Sequence, residues 1–224
     1  MPMRSDVERR LRRSFYDRPT LDVARDLLGK VLVHRRGSTV CSGTIVEVEA
    51  YVGETDPACH AAPGPTRRNA PLYGPPGYSY VYLNYGIHCL VNAVTEAEGF
   101  PAAVLIRALE PLQGIAVMRR RRARATTGRS SVRIPEDHDL CRGPGNVTAA
   151  LGITLGENRI DLLGNRLFVE DRGILVTRMV RGPRIGISTG TARPWRFYIE
   201  GSPAVSKPVL FRRQVVLDGP ARRE

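Results

Sequence analysis

Residues 40–52 read VCSGTIVEVEAYV, and this run rich in β-branched residues predicts one long strand. A second run, YSYVYLNYGIHCLVNAVT (78–95), is interrupted at Asn84-Tyr85-Gly86 and predicts a hairpin of two strands. Shorter runs at 30–34 (KVLVH) and 103–109 (AVLIRAL) predict two more strands. Strands with few helices in one chain predict a mixed α/β (α+β) fold around a largely antiparallel sheet.

Helices are expected at the periphery of this sheet. Residues 5–16 are expected to form a surface helix, and Thr20 to cap a second helix that stops at Gly29. Pro111 is expected to open a third helix that runs into Arg119–Arg122. The sequence therefore predicts a small number of helices around a sheet.

The remaining segments are predicted to be loops and short strands. Residues 53–77 are dense in Gly and Pro and are expected to cross the surface as a loop. GPGNVTAALGI (143–153) predicts a glycine-rich loop that enters a short helix. RLFVED (166–171), RIGIST (184–189) and WRFYIEGSP (195–203) predict further short strands.

The length of 224 residues fits one domain, and no internal repeat or long linker divides the chain. We expect residues 20–206 to form this domain, 1–19 to be an N-terminal extension and 207–224 a C-terminal tail. No stretch approaches the roughly 18 apolar residues of a membrane span, and no apolar signal segment follows the basic N-terminus. The sequence therefore predicts a cytoplasmic protein that does not cross a membrane.

The charge balance favours an acidic partner. The chain has 34 Lys+Arg against 22 Asp+Glu, a formal net charge of +12, and nucleic acid is the commonest partner of so basic a protein. The cysteines form no CxxC pair and the histidines no HExxH element, so we expect free thiols and no metal site.

The segment VEVEAY (46–51) contains candidate catalytic carboxylates. Because side chains alternate along a strand, Glu47, Glu49 and Tyr51 are expected on one face, with the two valines and the alanine on the other, against the core. A carboxylate at a pocket wall can deprotonate a water and stabilise an oxocarbenium-like sugar. The alternative interpretation is a pair of solvated strand residues.

A row of tyrosines follows in the predicted hairpin. Tyr78, Tyr80 and Tyr82 share one face of its first strand, and core packing is the favoured interpretation for Tyr80. Tyr85 lies at the tip, where basic DNA-binding proteins carry wedges that enter the minor groove and unstack a base step. The alternative for Tyr85 is a ring folded back over its own hairpin.

Lysine is scarce, which bears on mechanism. Lys30 and Lys207 are the only lysines, and neither is near the glutamates in sequence. An amine nucleophile, on a lysine or on Pro2 after removal of Met1, would form a Schiff base with a sugar. The sequence favours displacement by water, with the amine route as the alternative.

Two segments are candidate phosphate contacts. Residues 119–133 contain seven arginines and no acidic residue. Gly143–Asn146 is expected to present backbone N–H groups at the start of a helix. For the arginine run, a solvated charged face is the alternative.

These residues resemble the alkyladenine (3-methyladenine) DNA glycosylases, single-domain minor-groove repair enzymes that remove alkylated and deaminated purines. The resemblance covers about residues 20–206, and its motifs follow one order along the chain. The motifs are DLLGK (26–30), IVEVEAY (45–51), DPACH (56–60), TRRN (66–69), LYGPPGYSYVYLNYGIHCLVN (72–92), VLIRALEP (104–111), LCRGPGN (140–146), RIGIS (184–188) and RFYIEGSPAVS (196–206).

The resemblance implies a compact domain with a curved antiparallel sheet, no cofactor and no catalytic metal. Glu49 matches the water-activating residue, Glu47 a less defined neighbour, and Tyr85 the residue that fills the gap left by a flipped nucleotide. The implied base pocket comprises Tyr51 and Tyr82 as aromatic walls, His60 at the edge, Asn92 against the exocyclic amine of guanine, and Arg107 as an active-site arginine.

The implied function is that of a monofunctional, monomeric DNA glycosylase, cytoplasmic and associated with the nucleoid through DNA. It flips a damaged purine out of double-stranded DNA and hydrolyses the N-glycosidic bond, leaving an abasic site. The alternatives are a non-catalytic DNA-binding module, an amine-dependent glycosylase/lyase and an enzyme for another N-glycoside. Ala62 and Pro63 stand where the family pattern is more polar or aromatic, and His88 follows the tip, so the range of damaged bases stays open.

Overall fold

The computed structural model of the chain describes residues 9–124, 135–206 and 215–218. The predictions for residues 1–8, for most of the C-terminal tail and for the second half of the arginine run therefore fall outside the described residues. Among the residues that are described, no helix has the length and apolar character needed to cross a bilayer.

A long strand, β2 (Thr39–Val52), organises the sheet. β5 (Ala102–Gln113) pairs along one edge of β2. The other edge is shared, because β1 (Val31–Arg36) pairs with the first half of β2 and β8 (Arg196–Ile199) with the second. The other described strands are β3 (Ser79–Asn84), β4 (His88–Val94), β6 (Leu167–Glu170), β7 (Arg178–Gly182) and β9 (Val215–Asp218).

The pairings between these strands are all antiparallel, in the order β3-β4-β5-β2-β8-β7-β9, with β1 and β6 as a branch beside β2. Since two branches leave the same edge of β2, the sheet curls into a half-barrel instead of lying flat. The predicted α+β fold around a curved antiparallel sheet is confirmed.

Four helices of the described residues lie around the sheet. α2 (Thr20–Leu27) packs on β2 and β5, and Gly29 follows its end in a left-handed conformation with φ +79°. The prediction that Thr20 caps this helix is wrong, because Thr20 is its first residue, Pro19 is the N-cap, and the Thr20 hydroxyl is hydrogen-bonded to Thr95 and Glu96. α3 (Ile115–Arg124) packs on α4 (Pro144–Leu151), which also covers β4 and β5. A short helix, α1 (Arg13–Tyr16), completes the set. The predicted helix after the glycine-rich loop is confirmed as α4.

The register between β2 and β5 is shifted twice in the centre of the sheet. Between Ile45 and Val48 the pairing skips Val46 on β2 and Arg107 on β5. Such bulges change which face the following residue occupies. Ile45 and Val48 therefore both join the main core, whereas Val46 packs in a separate cluster with Tyr198. The prediction that Val46 shares the face of Val48 is wrong.

The first predicted helix is wrong over residues 9–12. This segment runs beside the edge strand β6. The backbone N–H of Leu11 donates to the carbonyl of Val169 at 2.9 Å, and Arg10 pairs with Glu170 in an isolated antiparallel β-bridge. An edge strand offers unpaired backbone groups. Those groups hold the segment extended, and helix is confined to α1.

Pro111 does not open a helix, because β5 continues through it to Gln113. The strand pairing shifts register beside Pro111, and proline is tolerated in a strand at such an irregularity. α3 begins after Gly114, which has φ +80°. A Cβ at Gly114 would lie 2.5 Å from the carbonyl oxygen of Val40, so a glycine is required there.

The predicted hairpin is confirmed as β3 and β4. Its turn contains Tyr85, which has a left-handed backbone with φ 49°, and the N–H of Ile87 donates to the carbonyl of Asn84 at 3.0 Å. Residues 53–77 form the predicted loop, with one turn of 3-10 helix at Ala70–Tyr73. The hairpin and this loop lie on the same side of β2, where the candidate site is found.

Candidate active site

A cavity of about 530 Å³ opens between the β3–β4 hairpin, the loop at 57–60 and the loop at 185–189. The predicted wedge at the hairpin tip lies at its mouth and contributes to its lining. The predicted pocket residues all line it: Tyr51, His60, Tyr82, Asn92 and Arg107.

Glu49 lies beneath this cavity and is fully buried. The hydroxyl of Tyr51 donates to its Oε2 at 2.8 Å, and the backbone N–H of Ile185 donates to its Oε1 at 2.7 Å. Nη1 of Arg107 lies 3.2 Å from Oε2. The three partners all line the cavity, so the carboxylate is immediately behind its wall.

Glu47 is also fully buried and is held by cations. Its Oε1 accepts hydrogen bonds from Nε of Arg107 at 2.9 Å and from Nε of Arg196 at 2.8 Å. The backbone N–H of Ser206 donates to Oε2 at 2.7 Å. The alternative interpretation of two solvated carboxylates is therefore wrong for both glutamates.

The surroundings separate the pKa values of the two glutamates. Burial raises the pKa of Glu49 above its ordinary value, and the opposing effects of Arg107 and the Ile185 N–H do not fully offset it. Burial also acts against the charge of Glu47, but Arg107 and Arg196 outweigh it and lower the pKa. Glu47 is thus a fixed anion that holds Arg107, while Glu49 has the higher proton affinity, as a general base requires.

Tyr51 supplies a hydroxyl donor to Glu49. Burial, followed by the charge of Glu49 and the hydrogen bond to it, raises the pKa of Tyr51 far above its ordinary value. The hydroxyl therefore stays protonated and keeps donating to the carboxylate throughout the neutral range.

The tyrosines of β3 form an aromatic wall of the cavity. The rings of Tyr80 and Tyr82 stack with centroids 5.2 Å apart, and the ring of His60 meets Tyr82 edge-on at 4.4 Å. Nδ1 of His60 is 2.8 Å from the Tyr80 hydroxyl. Tyr80 is buried, as predicted, yet also lines the cavity. Burial and the nearby Arg68 lower the pKa of His60, so its ring is neutral at pH 7.

Asn92 lies on β4, deep in the cavity wall. Its side chain is buried, and Nδ2 donates to the backbone carbonyl of Tyr80 at 3.0 Å. This hydrogen bond fixes the orientation of the amide. Asn92 is therefore a rigid part of the wall.

The hairpin tip exposes two large apolar residues. Tyr85 is 87% exposed and Ile87 is 74% exposed. Tyr85 is thus not folded back over its hairpin. The start of α4 packs closely under this hairpin. A Cβ at Gly145 would lie 2.9 Å from the His88 ring, so the contact requires a residue without a side chain.

The candidate phosphate contacts are only partly available. In the described part of the arginine run, Arg119 is 2.6 Å from Asp137 and Arg121 donates to the carbonyl of Ala150 at 3.0 Å. Arg121 is thus partly buried and engaged with α4, whereas Arg119 stays about half exposed in its surface ion pair, as a solvated charged face would be. Gly143–Asn146 forms the first turn of α4, and its Pro144 lines the cavity.

The one lysine whose surroundings are described lies away from the cavity. Nζ of Lys30 is 2.7 Å from Asp171, and Lys30 does not line the cavity. Lys207 and Pro2, the other candidate amines, are outside the described residues.

Several residues of the site were not identified from the sequence. Residues 184–189 form a loop and not the predicted strand, because the Ile185 N–H and the Arg184 side chain bind β2 and the 53–77 loop instead of a neighbouring strand. Ser206 reaches Glu47 from the C-terminal side in the same way. The motifs RIGIS and RFYIEGSPAVS contained these residues, but a backbone donor 136 residues from its acceptor has no signature in spacing.

Comparison with known proteins identifies the family. The family model described as methylpurine-DNA glycosylase (MPG) matches residues 14–203. A relative from Methanocella arvoryzae is 47% identical over 201 residues, covering 88% of this chain and 96% of the relative. Relatives from Burkholderia lata (45% over 205 residues, 90% and 93%) and Rubrobacter xylanophilus (48% over 177 residues, 79% and 86%) are similar. The names of all three contain the words 3-methyladenine DNA glycosylase. The chain therefore belongs to the methylpurine-DNA glycosylase family and is a DNA glycosylase.

Proposed function

We propose that the enzyme flips alkylated or deaminated purines, 3-methyladenine among them, out of duplex DNA and hydrolyses their N-glycosidic bond with a water activated by Glu49. The observation that carries this proposal is the buried carboxylate of Glu49 behind a tyrosine-lined cavity, beside an exposed aromatic tip. A base inside a duplex is out of reach of such a carboxylate, so chemistry there requires extrusion of the base.

The cavity suits a single nucleobase. Its volume of about 530 Å³ lies within the range of pockets that bind small molecules. Tyrosine rings can stack on a purine, and they favour the cationic purines that methylation produces. His60, held neutral, can exchange hydrogen bonds at the edge of the base. Asn92 is expected to exclude guanine through its exocyclic amine, as in the family.

The proposed step balances as a hydrolysis. The bond between C1′ and the base nitrogen breaks, and the base leaves with the electron pair. The water oxygen bonds to C1′, and its proton passes to the carboxylate of Glu49. A cationic methylpurine leaves as a neutral base, whereas a neutral base such as hypoxanthine needs a proton at a ring nitrogen.

Three donors orient Glu49 for this step. Oε2 is engaged by Tyr51 and Arg107, and Oε1 accepts the Ile185 N–H. A carboxylate oxygen has two lone pairs, so Oε1 retains one with which to accept a proton. Glu49 also supplies a negative charge near the positive charge that develops on the sugar.

The test is excision from duplexes carrying 3-methyladenine, hypoxanthine or ethenoadenine, with an undamaged duplex as control. We expect strand breaks at the lesion only after alkali treatment, and no enzyme–DNA adduct in the presence of borohydride. Breaks without alkali together with a trapped adduct would identify the amine route. Binding to damaged DNA with no abasic product would identify a binding module.

A further inference from the structure

An ion pair behind the cavity wall takes no part in the proposed base flipping and hydrolysis. Arg184 and Asp56 both have fully buried side chains. Nη1 of Arg184 is 2.5 Å from Oδ2 of Asp56, and Nη2 donates to Oδ1 at 2.8 Å, so the contact is bidentate. Neither residue lines the cavity. Burying two charges costs desolvation free energy, so a buried ion pair is weak evidence for a purely stabilising role.

Arg184 is connected to Glu49 through three neighbouring groups, which belong to Ile185, Ala50 and Tyr51. The next residue, Ile185, donates its N–H to Oε1 of Glu49. Nη1 of Arg184 donates at 2.9 Å to the carbonyl of Ala50, which directly follows Glu49. The guanidinium lies 4.6 Å from the ring centroid of Tyr51, whose hydroxyl donates to Oε2.

Asp56 fixes the guanidinium in this position. Besides Arg184, it accepts the backbone N–H groups of Val52 and Ala58, at 3.4 and 3.3 Å. The pair therefore joins the end of β2, the 53–77 loop and the loop after β7. These are three of the segments that surround Glu49.

We propose that Arg184 and Asp56 are positioning residues that hold the donors of Glu49 in place and set the charge next to it. This inference rests on the proposed role of Glu49 as the base. Displacement of the ion pair would move the Ile185 N–H and the Tyr51 ring together. Ile185 is the next residue of the chain, and the Tyr51 ring packs against the Arg184 guanidinium.

The charged and titratable groups that face Glu49 come from several elements. The charges of Glu47 and Arg107 act on Glu49 directly, and Tyr51 donates a hydrogen bond to it. The charge of Glu49 acts in turn on Tyr82 and on Arg184. Arg196 is opposite Glu49 in the β2–β8 register but directs its Nε to Glu47. Arg184 is the cation in this set that is itself neutralised by a carboxylate outside β2.

Arg184 and Asp56 stabilise each other's charged forms. Burial acts against the charge of Arg184, but Asp56, with smaller effects from Tyr51 and Glu49, raises its pKa above the ordinary value. Burial likewise acts against the charge of Asp56, while the hydrogen bonds and charge of Arg184 lower its pKa. Both groups are therefore ionised at neutral pH.

The test is the single-turnover excision rate of a methylpurine duplex as a function of pH. Excision requires the ionised form of Glu49, so the wild-type rate is expected to fall as pH decreases through a pKa above the ordinary 4.5. Asp56→Asn leaves the positive charge of Arg184 uncompensated, which favours the Glu49 carboxylate. The fall in rate should therefore move to lower pH, by roughly half a unit to one unit.

Arg184→Gln is expected to have the opposite effect on the pH profile. The charge of Asp56 then remains, supported by Arg193 at 3.6 Å, and disfavours a second carboxylate nearby. The fall in rate should move to higher pH, again by roughly half a unit to one unit. Both variants should also lower the maximal rate, since the donors of Glu49 are no longer held.

Two further variants separate charge from structure. Arg184→Lys keeps the charge but loses the bidentate contact, so it should lower the rate at every pH without moving the profile. Arg193→Gln removes a solvent-screened arginine that is 3.6 Å from Asp56, while Arg184 still neutralises that carboxylate through both hydrogen bonds, so rate and profile should stay close to those of the wild type. If Asp56→Asn or Arg184→Gln fails to fold by circular dichroism, these two variants still decide the matter.

The inference is overturned if the profiles of Asp56→Asn and Arg184→Gln stay in place or move in the same direction. It is also overturned if Arg184→Lys excises at the wild-type rate. A failure of the proposed role of Glu49 gives a different result, because the Glu49→Gln variant would then excise the base at the wild-type rate.

Discussion

Glu49→Gln is expected to bind methylpurine duplexes with near wild-type affinity and to release the base about a thousandfold more slowly. The amide cannot take the proton of the attacking water, and general-base catalysis typically contributes a factor of about 100 to 10,000. A thousandfold loss corresponds to about 4 kcal/mol of transition-state free energy. The measurement is single-turnover release of base, with equilibrium binding measured on the same duplex.

The fold of this variant is expected to survive. The pKa of Glu49 is raised in the folded protein, so its ionisation at neutral pH opposes folding, and a neutral glutamine avoids that cost. Arg107 keeps its hydrogen bond to Glu47. The free energy of unfolding at pH 7 should therefore equal or exceed that of the wild type, as measured by urea denaturation.

Glu47→Gln is the matched control, two residues along the same strand. The pKa of Glu47 is lowered and its carboxylate neutralises Arg107 and Arg196, which are both buried. Removing one partner of a buried ion pair costs about 3–5 kcal/mol, so this variant should be less stable, in contrast to Glu49→Gln. Near wild-type base release by Glu49→Gln would rule out Glu49 as the base.

Tyr85→Ser is expected to slow excision from duplex DNA by about 10- to 100-fold and to leave the stability within about 0.5 kcal/mol of wild type. Tyr85 is 87% exposed, so the folded protein loses little contact when the ring is removed. The flipped duplex, however, loses the ring that would fill the gap in its base stack. Single-turnover rates and thermal unfolding of the variant check both parts.

Two controls isolate the wedge role of Tyr85. On a single-stranded substrate there is no gap to fill, so the effect of Tyr85→Ser should largely disappear. Leu112→Ser removes an exposed apolar side chain on β5, away from the hairpin, and should leave excision unchanged. Duplex binding and excision that are unaffected by Tyr85→Ser would show that the tip does not insert.

Local patterns predicted the elements that depend on local chemistry. The β-branched run of β2 and the turn at Tyr85 formed as expected, because side-chain alternation and turn residues act within a few positions. The bulges at Val46 and Arg107 were not predicted, since they arise from the pairing of two distant strands. The same holds for Pro111, which the neighbouring strand keeps extended.

For the site, the sequence identified the groups that line the cavity but not those that hold them. Tyr51 and Arg107 belong to recognisable motifs and line the cavity. The Arg184–Asp56 pair joins residues 128 positions apart, and the Ile185 donor is a backbone group that any residue could supply. Contacts of this kind are set by the curvature of the sheet and by loop closure, which no short motif encodes.

The decisive measurement is the structure of Glu49→Gln bound to a methylpurine duplex. We expect the damaged purine in the cavity between Tyr51 and Tyr82, with C1′ next to residue 49 and the ring of Tyr85 in the vacated position of the stack. A purine still paired inside the duplex, with Tyr85 outside the helix, would contradict this expectation.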